Sequence, residues 1–191
     1  MKKQSILESR VKNAYLSLGS NLGNRSKNIN AAKYLLNIFD INLIKCSNFY
    51  ETESWPNKYF PKYLNIALKI STTMTVDQLF RIIKLIEKIL GRKNSKKNSP
   101  RICDIDIIDY DQKIISKKID KSELIVPHPR LHNRNFVLIP MLEIDKNWKH
   151  PKLKLNITKL LLKIKSTDLR SIKLLWINDI NKYVKFRRIN K

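Results

Sequence analysis

The sequence predicts a layered α+β sandwich, a single domain in which helices pack against a β-sheet. Strand-like alternation of side chains recurs at residues 14–18, 41–50, 63–70 and 102–110, and helical patterns lie between these segments. The chain has 191 residues, 42% of them hydrophobic, which suffices for one core but is short for two ordinary domains. Strands that alternate with helices in this way favour a layered architecture.

The clearest helix is predicted over residues 75–90. Apolar side chains recur there at helical spacing, Thr75 or Asp77 can cap the start, and Gly91 ends the pattern. Residues 92–100 follow without a single large apolar side chain. Nothing in that stretch can be buried to offset its ordering entropy, so we expect a mobile surface loop.

The remaining segments complete the predicted order. A helix is expected over residues 28–39, after the GSNLGN turn, and another over residues 136–144. Residues 124–135, rich in Pro, His and Arg, are predicted to be a connection. We expect residues 1–13 to be an extension and residues 165–191 to be a basic appended tail.

The net charge of +23, from 39 Lys and Arg against 16 Asp and Glu, raises the possibility of nucleic-acid binding. The lysines are spread from end to end, which indicates a solvated surface. Cys46 and Cys103 form no CxxC motif, so neither a zinc site nor a disulfide framework is predicted. With no signal-peptide pattern and no apolar run near the roughly 18 residues of a membrane helix, we expect a cytoplasmic protein.

Two carboxylates in the segment RICDIDII are the strongest chemical signal. In a strand, Asp104 and Asp106 share one face, while Cys103, Ile105 and Ile107 share the other. Hard oxygen ligands at this spacing suit Mg²⁺ that holds the phosphates of a nucleotide. An exposed edge strand whose acids face water would show the same pattern.

Basic side chains surround this acidic pair. Arginine forks bind phosphate oxygens bidentately, although each arginine could also pair with a surface acid. His128, between two prolines, could donate to a phosphate or be structural. The nearby cationic or titratable side chains are Arg92, Arg101, His128, Arg130, His132 and Arg134.

Aromatic residues could form a slot for a flat heterocycle. The candidates are Trp55, Tyr59, Tyr63 and Phe136, which could equally be core, and Asn65 could bind a heterocycle's edge. The GSNLGN turn lacks the Lys-Ser/Thr of a phosphate-binding P-loop. It is therefore either a strand-to-helix turn that needs glycine or a ligand contact.

Several motifs together resemble one enzyme family, the 6-hydroxymethyldihydropterin pyrophosphokinases. They are LSLGSNLGN, SNFYET, YLNIAL, IEKILGR, PRICDIDII and VPHPRLHNRNFVLIPMLEI, and the match runs over residues 14–164. The resemblance implies a ferredoxin-like α+β fold with a mostly antiparallel sheet. It also implies a step of folate biosynthesis, the transfer of pyrophosphate from ATP to 6-hydroxymethyl-7,8-dihydropterin with two Mg²⁺ ions.

The resemblance also implies roles for individual positions. Asp104 and Asp106 match metal ligands, and Arg92 and Arg101 match catalytic arginines. The substrates would be small molecules bound by a monomer, with no specific nucleic acid and no membrane. The implied ATP contacts are Glu87, Arg92, His128 and Arg134, and the implied pterin contacts are Gly19, Thr52, Trp55, Tyr63, Asn65 and Phe136.

Two segments depart from the family pattern. The stretch after Thr52 reads Glu53-Ser54-Trp55 where prolines are common, and residues 92–101 lack a further arginine and a tryptophan. Lys96 or Lys97 could supply the missing charge. We expect this loop to close over the phosphates when both substrates bind.

Two other functions fit parts of the sequence. A nucleotidyltransferase also uses a Gly-Ser turn and a DxD strand, but the two usually lie close together, whereas Gly19 and Asp104 are 85 positions apart. An RNA-binding module would explain the charge. It would leave the Asp pair and PHPRLHNRNF without a purpose.

Overall fold

The computed structural model describes residues 10–55, 57–92, 99–120 and 122–175. Most of the loop predicted to close over the phosphates, residues 93–98, lies outside these ranges, so its predicted mobility stays a prediction. Within the described ranges, no helix combines the length and apolar character that crossing a bilayer would need.

The structure contains eight strands, five α-helices and one 3-10 turn within the described residues. The strands are β1 (Lys12–Ser20), β2 (Asn42–Cys46), β3 (Phe49–Thr52), β4 (Tyr63–Thr72), β5 (Asp104–Tyr110), β6 (Ile115–Ile119), β7 (Ser122–Val126) and β8 (Lys173–Leu175). The helices are α1 (Arg25–Ile38), α2 (Val76–Ile89), α3 (Asn135–Ile144), α4 (Ile157–Leu161) and α5 (Ser166–Arg170), and the 3-10 turn is Leu131–Asn133.

The main sheet is antiparallel throughout. Its strand order is β5-β1-β4-β3-β8, and β2 pairs with the second half of β4, beside the place where β3 pairs with the first half. Strands β6 and β7 form a separate hairpin. The structure confirms the predicted mixed α+β fold with a mostly antiparallel sheet.

Helices cover both faces of this sheet. Helices α1 and α2 bury one face, where Leu16, Ile66 and Ile105 belong to the larger core cluster. Helices α3 and α4 pack on the other face, over Tyr15 and Ala67. On this α3 face, we call the region where β5 begins and β1 ends the Asp104 end, and the region where β5 ends and β1 begins the Asp109 end.

Local chemistry accounts for the boundaries of α2. Thr75 accepts from the N–H of Gln78, and the Gln78 side chain accepts from the Thr75 N–H, which completes a capping box. At the other end, Gly91 has φ +90°, a conformation that side chains other than glycine rarely adopt. The helix begins and ends where the sequence predicts.

Three predicted segments differ from the structure. Residues 41–50 form two strands, because the Ala67 N–H donates to the Ser47 hydroxyl at 2.9 Å rather than to a backbone carbonyl of the neighbouring strand. The predicted connection over residues 124–135 begins inside β7. Residues 173–175, predicted to belong to an appended tail, form β8 and pair with β3. The domain boundaries themselves stay predictions.

Candidate active site

Strand β5 places the two carboxylates as the alternation predicts. Asp104 and Asp106 are half-buried on the α3 face, while Ile105 and Ile107 are buried in the core on the other side. Strand β1 pairs with β5 here, so that Asp106 lies opposite Ser17 and Asp104 opposite Gly19. The pair is therefore held by sheet backbone rather than by a loop.

Both predicted catalytic arginines contact Asp104. Arg92 NH1 lies 2.8 Å from Oδ1, and Arg101 NH1 lies 2.9 Å from Oδ2. Burial works to raise the pKa of Asp104, but Arg101 and Arg92 outweigh it, and the net pKa is lowered. Asp104 is therefore an anion that binds both ends of the loop between α2 and β5, through Arg92 and Arg101.

Glu87, a predicted ATP contact, is a buried carboxylate near the end of α2. Its carboxylate is 1% exposed and accepts hydrogen bonds from the Ile105 N–H at 2.8 Å, from Lys84 Nζ at 2.9 Å and from Arg92. Three donors thus engage a buried group, and its predicted contact with ATP stays a prediction. Glu87 fixes Arg92 and ties α2 to β5.

Asp106 has looser cationic neighbours than Asp104. Arg134 NH1 lies 3.6 Å and His128 Nε2 lies 3.8 Å from Oδ2, both beyond a good hydrogen bond. Burial, followed by repulsion from Asp104, raises the pKa of Asp106 to about 6. This carboxylate retains lone pairs that could accept a hydrogen bond or bind a metal ion. A cation nearby would offset the repulsion between Asp106 and Asp104.

His128 is neutral at physiological pH. Burial, then Arg134 and Arg130, lower the pKa of His128 to about 4. Its Nδ1 accepts from the Arg130 N–H at 3.2 Å, so the neutral ring carries its proton on Nε2, the nitrogen that faces Asp106. The imidazole is thereby presented as a hydrogen-bond donor toward the acidic pair.

The acidic pair fits a magnesium site with few protein ligands. Among the residues that the structure describes, no cluster of three or more His, Cys, Asp or Glu side chains could hold a metal ion. Mg²⁺ typically keeps several waters and binds through one or two carboxylates plus substrate phosphates. Asp104 and Asp106 supply that number of carboxylates.

Gly19 joins the acidic pair to the predicted pterin residues. In the register of the sheet, Gly19 lies opposite Asp104 on one side and opposite Asn65 on the other. A Cβ on Gly19 would lie 3.2 Å from Asn65 Oδ1 and 3.4 Å from Tyr63 Cδ1. Glycine therefore permits a close approach, and two strand spacings separate Asn65 from Asp104 by about 10 Å.

The side-chain amide of Asn65 has a fixed orientation. Its Nδ2 donates to Thr52 Oγ1 at 3.0 Å and to the Tyr50 carbonyl at 3.3 Å, and Asn65 is 3% exposed. Both amide hydrogens are thus used within the protein. The carbonyl oxygen Oδ1, which lies toward Gly19, remains as the group that a ligand could bind.

The predicted aromatic residues are not equivalent in the structure. Tyr63 is half-buried beside Gly19, and Phe136 is the second residue of α3, with its ring 5.4 Å from the Arg134 guanidinium carbon. Trp55 is 71% exposed and Tyr59 is 98% exposed, both in the loop between β3 and β4. Tyr63 and Phe136 lie at the Asp104 end, whereas the role predicted for Trp55 stays a prediction.

Two residues that the sequence reasoning missed organise this end. Asn21 is 1% exposed; its amide donates to Ser54 Oγ and to the Pro61 carbonyl, each at 3.2 Å, and accepts from the Arg101 N–H at 2.7 Å. Glu143 accepts from the Tyr50 hydroxyl at 2.8 Å and from the backbone and side chain of Asn48. Their only sequence signal was their place inside the motifs GSNLGN and PMLEI.

Comparison with known proteins decides the family. The family described as 7,8-dihydro-6-hydroxymethylpterin-pyrophosphokinase (HPPK) matches residues 15–146. The 2-amino-4-hydroxy-6-hydroxymethyldihydropteridine pyrophosphokinase of Aquifex aeolicus is 40% identical over 72% of this chain and 82% of its own length. This chain belongs to the HPPK family. The predicted resemblance and enzyme class, a diphosphokinase of folate biosynthesis, are confirmed.

Other HPPK relatives are longer or more distant. The folic acid synthesis protein fol1 of Pneumocystis carinii is 39% identical over 83% of the chain, which spans only 21% of that protein. A crystal structure of a Plasmodium falciparum HPPK-DHPS triple mutant matches with a TM-score of 0.72 at 17% identity, over 91% of this chain and 50% of that one. That likeness supports the ferredoxin-like HPPK fold.

Proposed function

We propose that this chain transfers pyrophosphate from ATP to 6-hydroxymethyl-7,8-dihydropterin, with release of AMP. One observation carries the proposal: the sheet register places Asn65, Gly19 and Asp104 side by side on three adjacent strands. A flat ring bound at Asn65 would therefore lie within about 10 Å of the acidic pair, the length of a hydroxymethyl group plus a diphosphate.

Asp104 and Asp106 are proposed to hold two Mg²⁺ ions, with water and phosphate oxygens as the remaining ligands. When bound, Mg²⁺ would neutralise phosphate charge and orient the polyphosphate. Arg134 and the Nε2–H of His128 lie beside Asp106 and are proposed to contact the phosphates of ATP. Both are donors, as a phosphate oxygen requires.

Arg92 and Arg101 are proposed to stabilise the charge that develops during transfer. In their described hydrogen bonds both use NH1 to hold Asp104, which leaves the rest of each fork for phosphate oxygens. Glu87 accepts a hydrogen bond from Arg92 and is proposed to position this guanidinium. Preorganised guanidiniums lower the barrier because they do not reorient during the reaction.

The transfer balances without a covalent intermediate. The hydroxyl oxygen of the pterin forms a bond to the β-phosphorus of ATP, and the bond between this phosphorus and the bridging oxygen to the α-phosphorus breaks. AMP leaves with that oxygen, and the hydroxyl proton is released to solvent. Positioning and electrostatics supply the catalysis, as in other phosphoryl transfers.

The pterin is proposed to bind between Tyr63 and Phe136, with Asn65 at its edge and Gly19 and Thr52 as close neighbours. Support comes from the half-buried rings at this end of the sheet and from the fixed amide of Asn65. Trp55 could complete the slot from the β3–β4 loop. A cytoplasmic location and a monomeric state remain predictions.

The decisive assay incubates purified protein with Mg-ATP and hydroxymethyldihydropterin and measures AMP and ADP separately. We expect AMP and the pterin diphosphate in equal amounts, and only a small remainder of this turnover, lower by about 100-fold or more, in Asp106→Asn. Accumulation of ADP in place of AMP would reject pyrophosphate transfer. Omission of magnesium should abolish the reaction, and its persistence in chelator would reject the metal assignment.

A further inference from the structure

The last described stretch of the chain, Ser166–Leu175, touches two walls of the candidate site. It comprises α5 and β8, and it lies beyond residues 15–146, which carry the family match. One of its contacts is with β3 and the other is with the first residue of α3.

The contact with β3 is strand pairing. Strand β8 adds to the free edge of β3, with Leu174 opposite Tyr50 and Lys173 opposite Glu51. Tyr50 and Thr52 of β3 supply the two acceptors that fix the Asn65 amide. Without β8, β3 would be a four-residue edge strand paired on one side only, and short edge strands of this kind are the least stable part of a sheet.

The contact with α3 is a hydrogen-bond cluster around Asn135. This residue stands between Arg134 and Phe136, and its Nδ2 donates to the Asp168 carbonyl and to Ser171 Oγ at 3.3 Å. The Ser171 hydroxyl donates in turn to the Asp168 carbonyl at 2.7 Å. Asn135 is 8% exposed, so loss of these acceptors would leave a largely buried donor unsatisfied.

We propose that Ser166–Leu175 is a brace that sets the width of the pterin slot. One short segment fixes β3, which holds Asn65 in orientation, and also fixes the start of α3, which carries Phe136. The inference rests on the proposed function, because the slot is the proposed pterin site. Ser171 and the backbone of β8 act as positioning elements; neither touches the substrate.

Two matched pairs of variants in the full chain test the brace. Leu174→Pro removes a backbone N–H and restricts φ in β8, whereas Leu174→Ala shortens a side chain that is 39% exposed and keeps the backbone. Ser171→Ala removes the hydroxyl that accepts from Asn135, whereas Ser171→Thr retains a hydroxyl at an exposed position.

Steady-state kinetics and calorimetry of each substrate measure the effect. We expect Leu174→Pro and Ser171→Ala to raise KM for the dihydropterin about 3- to 10-fold, the size of one or two lost hydrogen bonds. KM for ATP and kcat should stay within about 2-fold, since only ground-state binding of the pterin is affected. Leu174→Ala and Ser171→Thr should behave as the unaltered chain.

The outcomes separate the brace from the proposed function. If the unaltered chain forms no AMP from these substrates, the proposed function fails and the brace fails with it. Normal AMP formation with an unchanged dihydropterin KM in folded Ser171→Ala would overturn the brace alone. So would an equal rise in the KM of both substrates, or failure of Ser171→Thr to restore the dihydropterin KM, because either result indicates general loosening.

Discussion

The two ends of the α3 face carry similar side chains, but they differ in how fully their carboxylates are hydrogen-bonded. At the Asp104 end, Arg92 and Arg101 hold Asp104 directly, but the nearest cationic nitrogens of Asp106 lie at 3.6 and 3.8 Å. At the Asp109 end, Asp109 accepts from Trp148 Nε1 at 2.7 Å, and Asp145 accepts from the Tyr15 hydroxyl at 2.5 Å and from Lys69 at 2.9 Å.

This difference teaches what distinguishes a site from a polar part of the core. The Asp109 end borders a cavity of about 540 Å³ that is lined by aromatic, acidic and basic residues. The composition of this lining resembles that of a binding pocket. Two of its carboxylates, Asp109 and Asp145, are nevertheless engaged by direct donors, so they hold the fold together. Chemistry is expected where charged groups are brought close but left with capacity for another partner.

The largest effect is expected from the acidic pair. Asp104→Asn and Asp106→Asn should each reduce kcat roughly 100-fold or more, comparable to the loss of a key electrostatic group, because the amide keeps the shape but loses the charge that holds Mg²⁺. The fold should remain intact, as judged by circular dichroism. Asp145→Asn, at the other end, is the matched control and should keep near-normal turnover.

Equal activity of both mutants and the unaltered chain at saturating magnesium would remove the metal-ligand assignment. It would also break the comparison between the two ends.

The next effect is expected in the slot. Tyr63→Ala and Phe136→Ala should weaken dihydropterin binding about 10-fold or more, since each removes a ring that packs on the flat ligand, while ATP binding stays near normal. Calorimetry with each ligand separately measures this. Tyr59→Ala, which removes a 98% exposed ring, is the control. A selective loss of ATP affinity would show that the rings serve the nucleotide.

At the Asp109 end we expect a cost in stability without a cost in catalysis. Trp148→Phe removes the indole N–H that donates to the buried Asp109 and should lower the free energy of unfolding by about 1–3 kcal/mol. Chemical denaturation measures the change. A fall in kcat as large as that expected for Asp106→Asn would contradict the assignment of stability to the Asp109 end and catalysis to the Asp104 end.

The smallest effect concerns pH. Burial works to raise the pKa of Asp145, but hydrogen bonds from Tyr15 and Lys69 outweigh it, and the net pKa is lowered. A lowered carboxyl pKa adds stability that is present above the unfolded value of about 3.9 and is lost as pH falls through the folded value. Asp145→Asn should therefore flatten the decline in unfolding free energy below about pH 4. If the unfolding free energy of the variant declines with pH as steeply as that of the unaltered chain, Asp145 does not contribute to acid sensitivity.

Local patterns in the sequence predicted the parts of this molecule that local physics determines. The alternation of β5 placed Asp104 and Asp106 on one face, and the cap and periodicity of α2 gave its bounds. The break at Ser47 was not visible, because it depends on Ala67 and on Glu143, which are distant in sequence.

The candidate site shows the same limit. Resemblance placed Glu87 near the nucleotide, and the structure shows that its carboxylate accepts from Lys84 and Arg92, which are close in sequence, and from the Ile105 N–H. The bond from Ile105 could not be predicted, because it depends on how α2 packs on β5. Strand β8 was missed because three residues give too short an alternation to recognise, and its stability comes from pairing with β3. The roles assigned to individual site residues remain predictions until they are tested.

The locked amide of Asn65 has a consequence for ligand discrimination. Because Thr52 and the Tyr50 carbonyl use both amide hydrogens, this position can only accept a hydrogen bond from whatever ring lies beside Gly19. An inhibitor that presents a lone pair there would meet the lone pairs of Oδ1. The amide could not flip without losing its bond to the Tyr50 carbonyl and placing Oδ1 against that carbonyl oxygen. Compounds of the same shape should therefore be sorted by tautomer, with the lactam N–H form accepted and its lactim form, whose ring nitrogen carries a lone pair there, rejected.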